Sequence, residues 1–223
     1  MAAQTMGRLP EAIKAKLVKN TREMALAEGN LLSAGKGARS LFVTSSFKGE
    51  GKTTAALSLA YGLTINGSAT VLLVDGNPTA PLLHQLFQVE TAPGFTEFLQ
   101  GGVQLADLIR GTDVRNLAVM PFGSSGLEIS HILKANLLQE RLTQLQEHFD
   151  YIIMDGGPVM SSSEVNVLAG QFDGVVLVVE CEKTKWEVVQ SAVERLRLVN
   201  GKVLGVVLNK RRYYIPAALY GKI

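Results

Sequence analysis

The segment Ser45-Ser46-Phe47-Lys48-Gly49-Glu50-Gly51-Lys52-Thr53-Thr54 follows the apolar run Leu41-Phe42-Val43 and opens into a helix-like stretch near Ala55. A strand that passes through a glycine-containing loop into a helix constrains a fold strongly. It sets the loop at the carboxyl edge of a sheet and at the positive end of a helix. Glycines at 49 and 51 let the backbone curl so that successive N–H groups point inward at an anion. Lys52 adds a mobile ammonium for β- and γ-phosphates, and Thr53 offers a hydroxyl to Mg²⁺. Lys48, Gly49, Glu50, Gly51, Lys52, Thr53 and Thr54 are therefore the candidate cradle of a nucleoside triphosphate. The first glycine of G-x-x-x-x-G-K-[ST] is Ser46 here. Placement between strand and helix carries the reading, because the letters G-K-T-T alone arise by chance on surface turns.

The rest of the chain fits an α/β fold of the P-loop type, a mainly parallel sheet flanked by helices on both faces. Short apolar runs alternate with amphipathic segments from Ser40 to Leu208, the pattern of buried parallel strands. It predicts strands over Ser40–Thr44, Thr70–Asp75, Asn116–Pro121, Tyr151–Asp155, Gly174–Val179 and Lys202–Leu208. Helices are predicted over Thr53–Asn66, Ile129–His148, Glu164–Gly170 and Thr184–Asn200, the last with a core stripe of Trp186, Val189, Val193, Leu196 and Val199. Pro78, Pro81 and Pro93 divide the region after the second strand into loops and short helices. The expected organisation is an N-terminal helix and linker at 1–39, a nucleotide-binding domain at 40–208 and a tyrosine-containing tail at 209–223. In the first of these, Ile13, Leu17 and Met24 share a face.

In such a sheet ligands bind at the carboxyl ends of the strands, and two of the strands end there in aspartate. Asp155 is the candidate that orients a hydrated Mg²⁺. Asp75 either ligates the metal or takes a proton from an incoming nucleophile. A helix cap or turn is the ordinary alternative for either one. Asn77, two residues beyond Asp75, cannot ionise. The single cysteine, Cys181, excludes an intramolecular disulfide, and the scattered histidines lack metal-ligand spacing. A net charge of +2 gives no ground for a nucleic-acid partner. Met1–Pro10 lacks the apolar core of a secretory signal, and no apolar run is long enough to span a bilayer. The expectation is a cytoplasmic chain whose membrane link, at the inner face, comes through a partner.

Several segments together resemble the cytoplasmic domain of bacterial tyrosine kinases of capsular and exopolysaccharide biosynthesis. They are Thr44-Ser45-Ser46 with Gly49 to Thr54, Val71-Leu72-Leu73-Val74-Asp75, Pro81 and His84 at P-x-x-H spacing, Asn116–Pro121, Phe149–Asp155 and Val203–Lys210. The resemblance implies ATP and Mg²⁺ at the phosphate loop, with Lys52, Asp75 and Asp155 as catalytic residues and Thr53, Asp75 and Asp155 around the metal. It implies autophosphorylation on Tyr213, Tyr214 and Tyr220 of a neighbouring copy, hence a homo-oligomer, and a membrane-spanning polysaccharide co-polymerase as activator subunit. Read without it, those tyrosines serve equally well to pack the tail. The chain departs from the family pattern at Lys48, at Asp75-Gly76-Asn77 in place of D-x-D, and at Gly156-Gly157-Pro158. The ring-assembly motif is represented by Glu11, Lys14 and Leu17. Asn77 implies slow turnover. Two rivals share the phosphate loop: a partitioning-type ATPase switch, and a degenerate nucleotide-binding module.

Overall fold

The computed structural model describes residues 6–18, 37–66, 69–124, 135–161 and 163–211, together with Gly29 and Ser33. The described strands are β1 (Ser40–Ser45), β2 (Val71–Gly76), β3 (Arg110–Gly111), β4 (Leu117–Met120), β5 (Tyr151–Gly156), β6 (Gly174–Glu180) and β7 (Val203–Asn209). Helical turns at 11–18 form α1. They are followed by α2 (Lys52–Asn66), α3 (Leu83–Phe87), α4 (Phe95–Gln100), α5 (Leu105–Leu108), α6 (Ala135–Gln146), α7 (Ser163–Ala169) and α8 (Trp186–Leu198).

The strands form one sheet in the order β3-β4-β2-β5-β1-β6-β7. All neighbours are parallel except the short β3, which runs antiparallel to β4 at the edge. Successive side chains of a strand point to opposite faces, so a sheet covered on both sides needs apolar residues at every position. Phe42, Leu72, Val74, Ile152, Met154, Val175 and Leu177 point to one face, where they meet α4, α6, α7 and α8. Leu41, Val43, Val71, Leu73, Ile153, Val176 and Val178 point to the other, against α2 and α3. Six strands and four helices thus lie where the hydrophobic pattern places them, within a residue or two at described ends. Part of the expected Ile129–His148 helix and Met24 fall outside the described residues.

One feature departs from the sequence reading. Trp186 is 67 % exposed and lies outside the core. It occupies the first position of α8, ahead of the turn where Val189, Ala192 and Leu196 become buried. The described part of the N-terminal segment packs onto the sheet domain. Gly7 bonds Gly111 and Asp113 through the backbone, and the Arg8 amide donates to the Phe87 carbonyl at 2.7 Å. Lys14 pairs with Asp113 at 2.8 Å, and Leu9 and Leu17 are buried in the α2-side core.

Candidate phosphate and metal site

Strands β2, β5 and β1 are adjacent, and their carboxyl ends bring the three expected motifs to one place. Asp75 lies opposite Asp155 in the β2–β5 register, and Val43, three residues before the loop, lies opposite Asp155 on the other side. Gly76 and Gly156 follow the aspartates because nothing larger fits. A Cβ would come within 2.5 Å of the Met154 sulfur at Gly76, and within 2.2 Å of the Phe42 ring at Gly156.

The loop from Ser46 to Gly51 turns on two left-handed glycines, Gly49 (φ 92°) and Gly51 (φ 95°). Among the described residues, the N–H groups of Gly49, Glu50 and Gly51 donate to no protein acceptor. Helix α2 begins directly at Lys52, with no acidic residue in its first turn to compete with an anion. Lys52 is buried, Thr53 half-buried, and Thr54 and Lys48 exposed at the rim. The Glu50 side chain is buried and serves the loop's own architecture. Oε2 accepts the Phe47 N–H at 2.7 Å, and Oε1 accepts the Thr184 hydroxyl.

Asp155 is buried, and its Oδ1 accepts no hydrogen bond from the described residues. Burial pushes its carboxyl up to about 7, and the Asp75 charge adds to that, while hydrogen bonding from the Thr53 hydroxyl and the Lys52 charge oppose it. A hard oxygen donor left unpartnered beside a hydroxyl and an ammonium fits a divalent cation that carries phosphate oxygens. The Ser46 hydroxyl oxygen is likewise buried without a partner among the described residues.

Asp75 stands differently. Its Oδ2 accepts the amides of Leu82 and Leu83 at 2.8 and 2.9 Å, and Oδ1 accepts that of Asn77 at 3.3 Å. Burial raises its pKa, and the three amides hold part of that rise back. In this conformation the carboxylate anchors the entry to α3, so serving as a metal ligand or base requires it to give up an amide. Asn77 is spent on the same turn. It donates to the Ala80 carbonyl at 3.1 Å and accepts the Thr79 hydroxyl at 3.0 Å. Tyr213, Tyr214 and Tyr220 lie outside the described residues.

Sequence reasoning missed the supports of the loop: Thr184 after β6, and Asn209 with Lys210 at the end of β7. The available signal was their position, since both loops close the same carboxyl edge.

A glycine loop feeding a buried helix, with aspartates ending two neighbouring parallel strands, defines a P-loop NTPase fold. A family model described as an AAA domain matches residues 40–207. The tyrosine-protein kinase CpsD of Streptococcus agalactiae is 32 % identical over 199 residues, covering 88 % of this chain and 86 % of its own. The kinase domain of VpsO superposes with a TM-score of 0.79 at 26 % identity, covering 89 % of this chain and 98 % of its own. Cobyrinic acid a,c-diamide synthase from Mycobacterium smegmatis, with ADP and magnesium bound, shares the fold at a TM-score of 0.65 and 24 % identity, covering 77 % of this chain and 74 % of its own. The chain belongs to the bacterial tyrosine-protein kinase family.

Proposed function

We propose that this chain is an ATP-dependent protein tyrosine autokinase that regulates capsular or exopolysaccharide biosynthesis. It transfers the γ-phosphate to Tyr213, Tyr214 and Tyr220 in the tail of a neighbouring copy. The observation that carries the reading is the unpartnered Oδ1 of buried Asp155, set beside Lys52 and Thr53 at the mouth of an anion-facing loop. The 32 % identity to a protein named a tyrosine-protein kinase supports the choice among P-loop chemistries.

Phosphoryl transfer needs positioning and charge neutralisation more than covalent work by the protein. The amides of Gly49 to Gly51 and the start of α2 hold the phosphate chain, and Lys52 bridges its outer oxygens. The Thr53 hydroxyl and Asp155 would hold and orient Mg²⁺, which would supply the remaining neutralisation. Asp75 is the proposed acceptor of the tyrosine proton, a role worth about 10²–10⁴-fold in rate, once it has exchanged a backbone amide for the incoming hydroxyl. Because Asn77 is engaged in its turn and cannot ionise, no second acid assists, and slow turnover follows. Among the described residues no helix is long and apolar enough to cross a membrane. A membrane-spanning activator subunit is therefore the proposed link to the inner face of the membrane. Phe47 stands where a partitioning-type switch carries an additional loop lysine, which favours the kinase.

Incubating the full chain with Mg·ATP and mapping phosphate by mass spectrometry tests the reading. Phosphate on the tail tyrosines that is lost in Lys52→Met supports it. ADP release with no modified residue replaces it with an ATPase switch, and nucleotide binding with neither replaces it with a degenerate module.

A further inference from the structure

Two carbonyls of the phosphate loop are held from the far end of the chain. The Asn209 side-chain amide donates to the Glu50 carbonyl at 2.8 Å. Lys210 Nζ donates to the Gly49 carbonyl at 2.7 Å. Across a planar trans peptide the C=O and the following N–H point in opposite directions. Drawing the Gly49 carbonyl outward therefore turns the Glu50 N–H inward, and drawing the Glu50 carbonyl outward does the same for the Gly51 N–H. These are two of the amides proposed to meet the anion, and no acceptor among the described residues takes either one.

The supports are themselves fixed. Asn209 lies opposite Glu180 in the β6–β7 register, and its carbonyl accepts the Cys181 amide at 2.9 Å. Lys210 pairs with Glu180 Oε2 at 3.1 Å. Gly51 is required from both sides: its φ is 95°, and a Cβ there would stand 1.9 Å from Asn209 Nδ2.

We propose that Asn209 and Lys210 are positioning residues of the phosphate cradle, which preset the Glu50 and Gly51 amides toward the anion before it arrives. The inference rests on the phosphate-binding part of the function proposed above and is independent of where the phosphate goes. A neutral donor and a charged one contribute separately. Asn209 acts by orientation alone, whereas Lys210 also adds a long-range charge that salt screens.

The test uses the full chain and a probe without a nucleobase, inorganic tripolyphosphate with Mg²⁺, titrated calorimetrically beside Mg·ATP and Mg·GTP. A hydrogen bond of ordinary strength corresponds to roughly three- to tenfold in affinity. Asn209→Ala should weaken tripolyphosphate binding by about that factor, leaving the ATP-to-GTP ratio as in wild type. Lys210→Met should weaken it at low salt and still weaken it at high salt, and Lys210→Arg should restore most of the loss. Wild-type tripolyphosphate affinity in Asn209→Ala, or a changed base preference without loss of tripolyphosphate, overturns the proposal. If Asn209→Ala fails to fold, Lys210→Met decides alone, because the Lys210 side chain is half exposed; unchanged high-salt affinity there overturns it. A wild-type protein that binds neither tripolyphosphate nor nucleotide overturns the phosphate-binding reading itself.

Discussion

Replacing Asp155 by asparagine should stabilise the ligand-free protein while removing its response to Mg·ATP. In the folded chain the Asp155 carboxyl rises from its ordinary 3.8 to about 7, mainly because it is buried. The folded state therefore holds a proton, between those two values, that the unfolded state has released. Its stabilising contribution is complete below pH 4 and declines as pH rises through 7. A thousandfold difference in proton affinity corresponds to ~4 kcal/mol of stability lost by pH 8. Asparagine does not ionise and escapes that loss. Some is returned, because its amino group would replace an oxygen that has no partner, and a buried unpaired donor costs about 1–3 kcal/mol. The net expectation is a variant more stable than wild type by roughly 1–3 kcal/mol at pH 8, with the advantage vanishing or reversing by pH 5. Urea unfolding in EDTA across that range measures it. The same titrations with Mg·ATP should stabilise wild type and leave the variant unmoved, since only a ligand that binds the native state shifts the midpoint. A variant equally destabilised at pH 5 and pH 8 would refute the argument, because Asp155 would then carry no unmet charge.

The other expectations concern the surroundings of that carboxylate. Gly51→Ala should weaken Mg·ADP binding at least tenfold by calorimetry, through a strained φ costing about 1–3 kcal/mol and a clash with Asn209; wild-type affinity would show that the loop tolerates a side chain. Asp75→Asn should cost about 1–2 kcal/mol in chemical denaturation. It should also speed hydrogen exchange at the Leu82 and Leu83 amides, which Asp75 now accepts. Leu9→Ala should cost about 2–5 kcal/mol, because Leu9 is buried in the α2-side core. A loss below ~0.5 kcal/mol, typical of surface positions, would mean that the N-terminal segment is dispensable.

The sheet was legible because its strands are buried on both faces, which makes each an unbroken apolar run with polar ends. The aspartates were legible for the same reason: a carboxylate ending such a run can only sit at the sheet edge. Strand β3 left no trace, since Arg110-Gly111 are two residues of an antiparallel edge pair whose partner is chosen by tertiary contacts. Trp186 misled because spacing fixes the face a residue points to and says nothing of where along the helix packing begins. The place of Glu50 in the loop marks it as a candidate cofactor contact, while no local pattern shows that its carboxylate turns toward Phe47 and Thr184. Asn209 and Lys210 are separated from the loop by about 160 residues, and no local pattern reports a contact of that range. The tail tyrosines rest on the resemblance alone.

Calorimetric titration of the full wild-type chain with Mg·ATP, paired with nucleotide in EDTA, bears most directly on the claim that this edge of the sheet is a metal-assisted phosphate cradle. The account predicts saturable heat near one nucleotide per chain, much reduced when magnesium is withheld. No heat with the metal present, from protein that unfolds cooperatively, would contradict it.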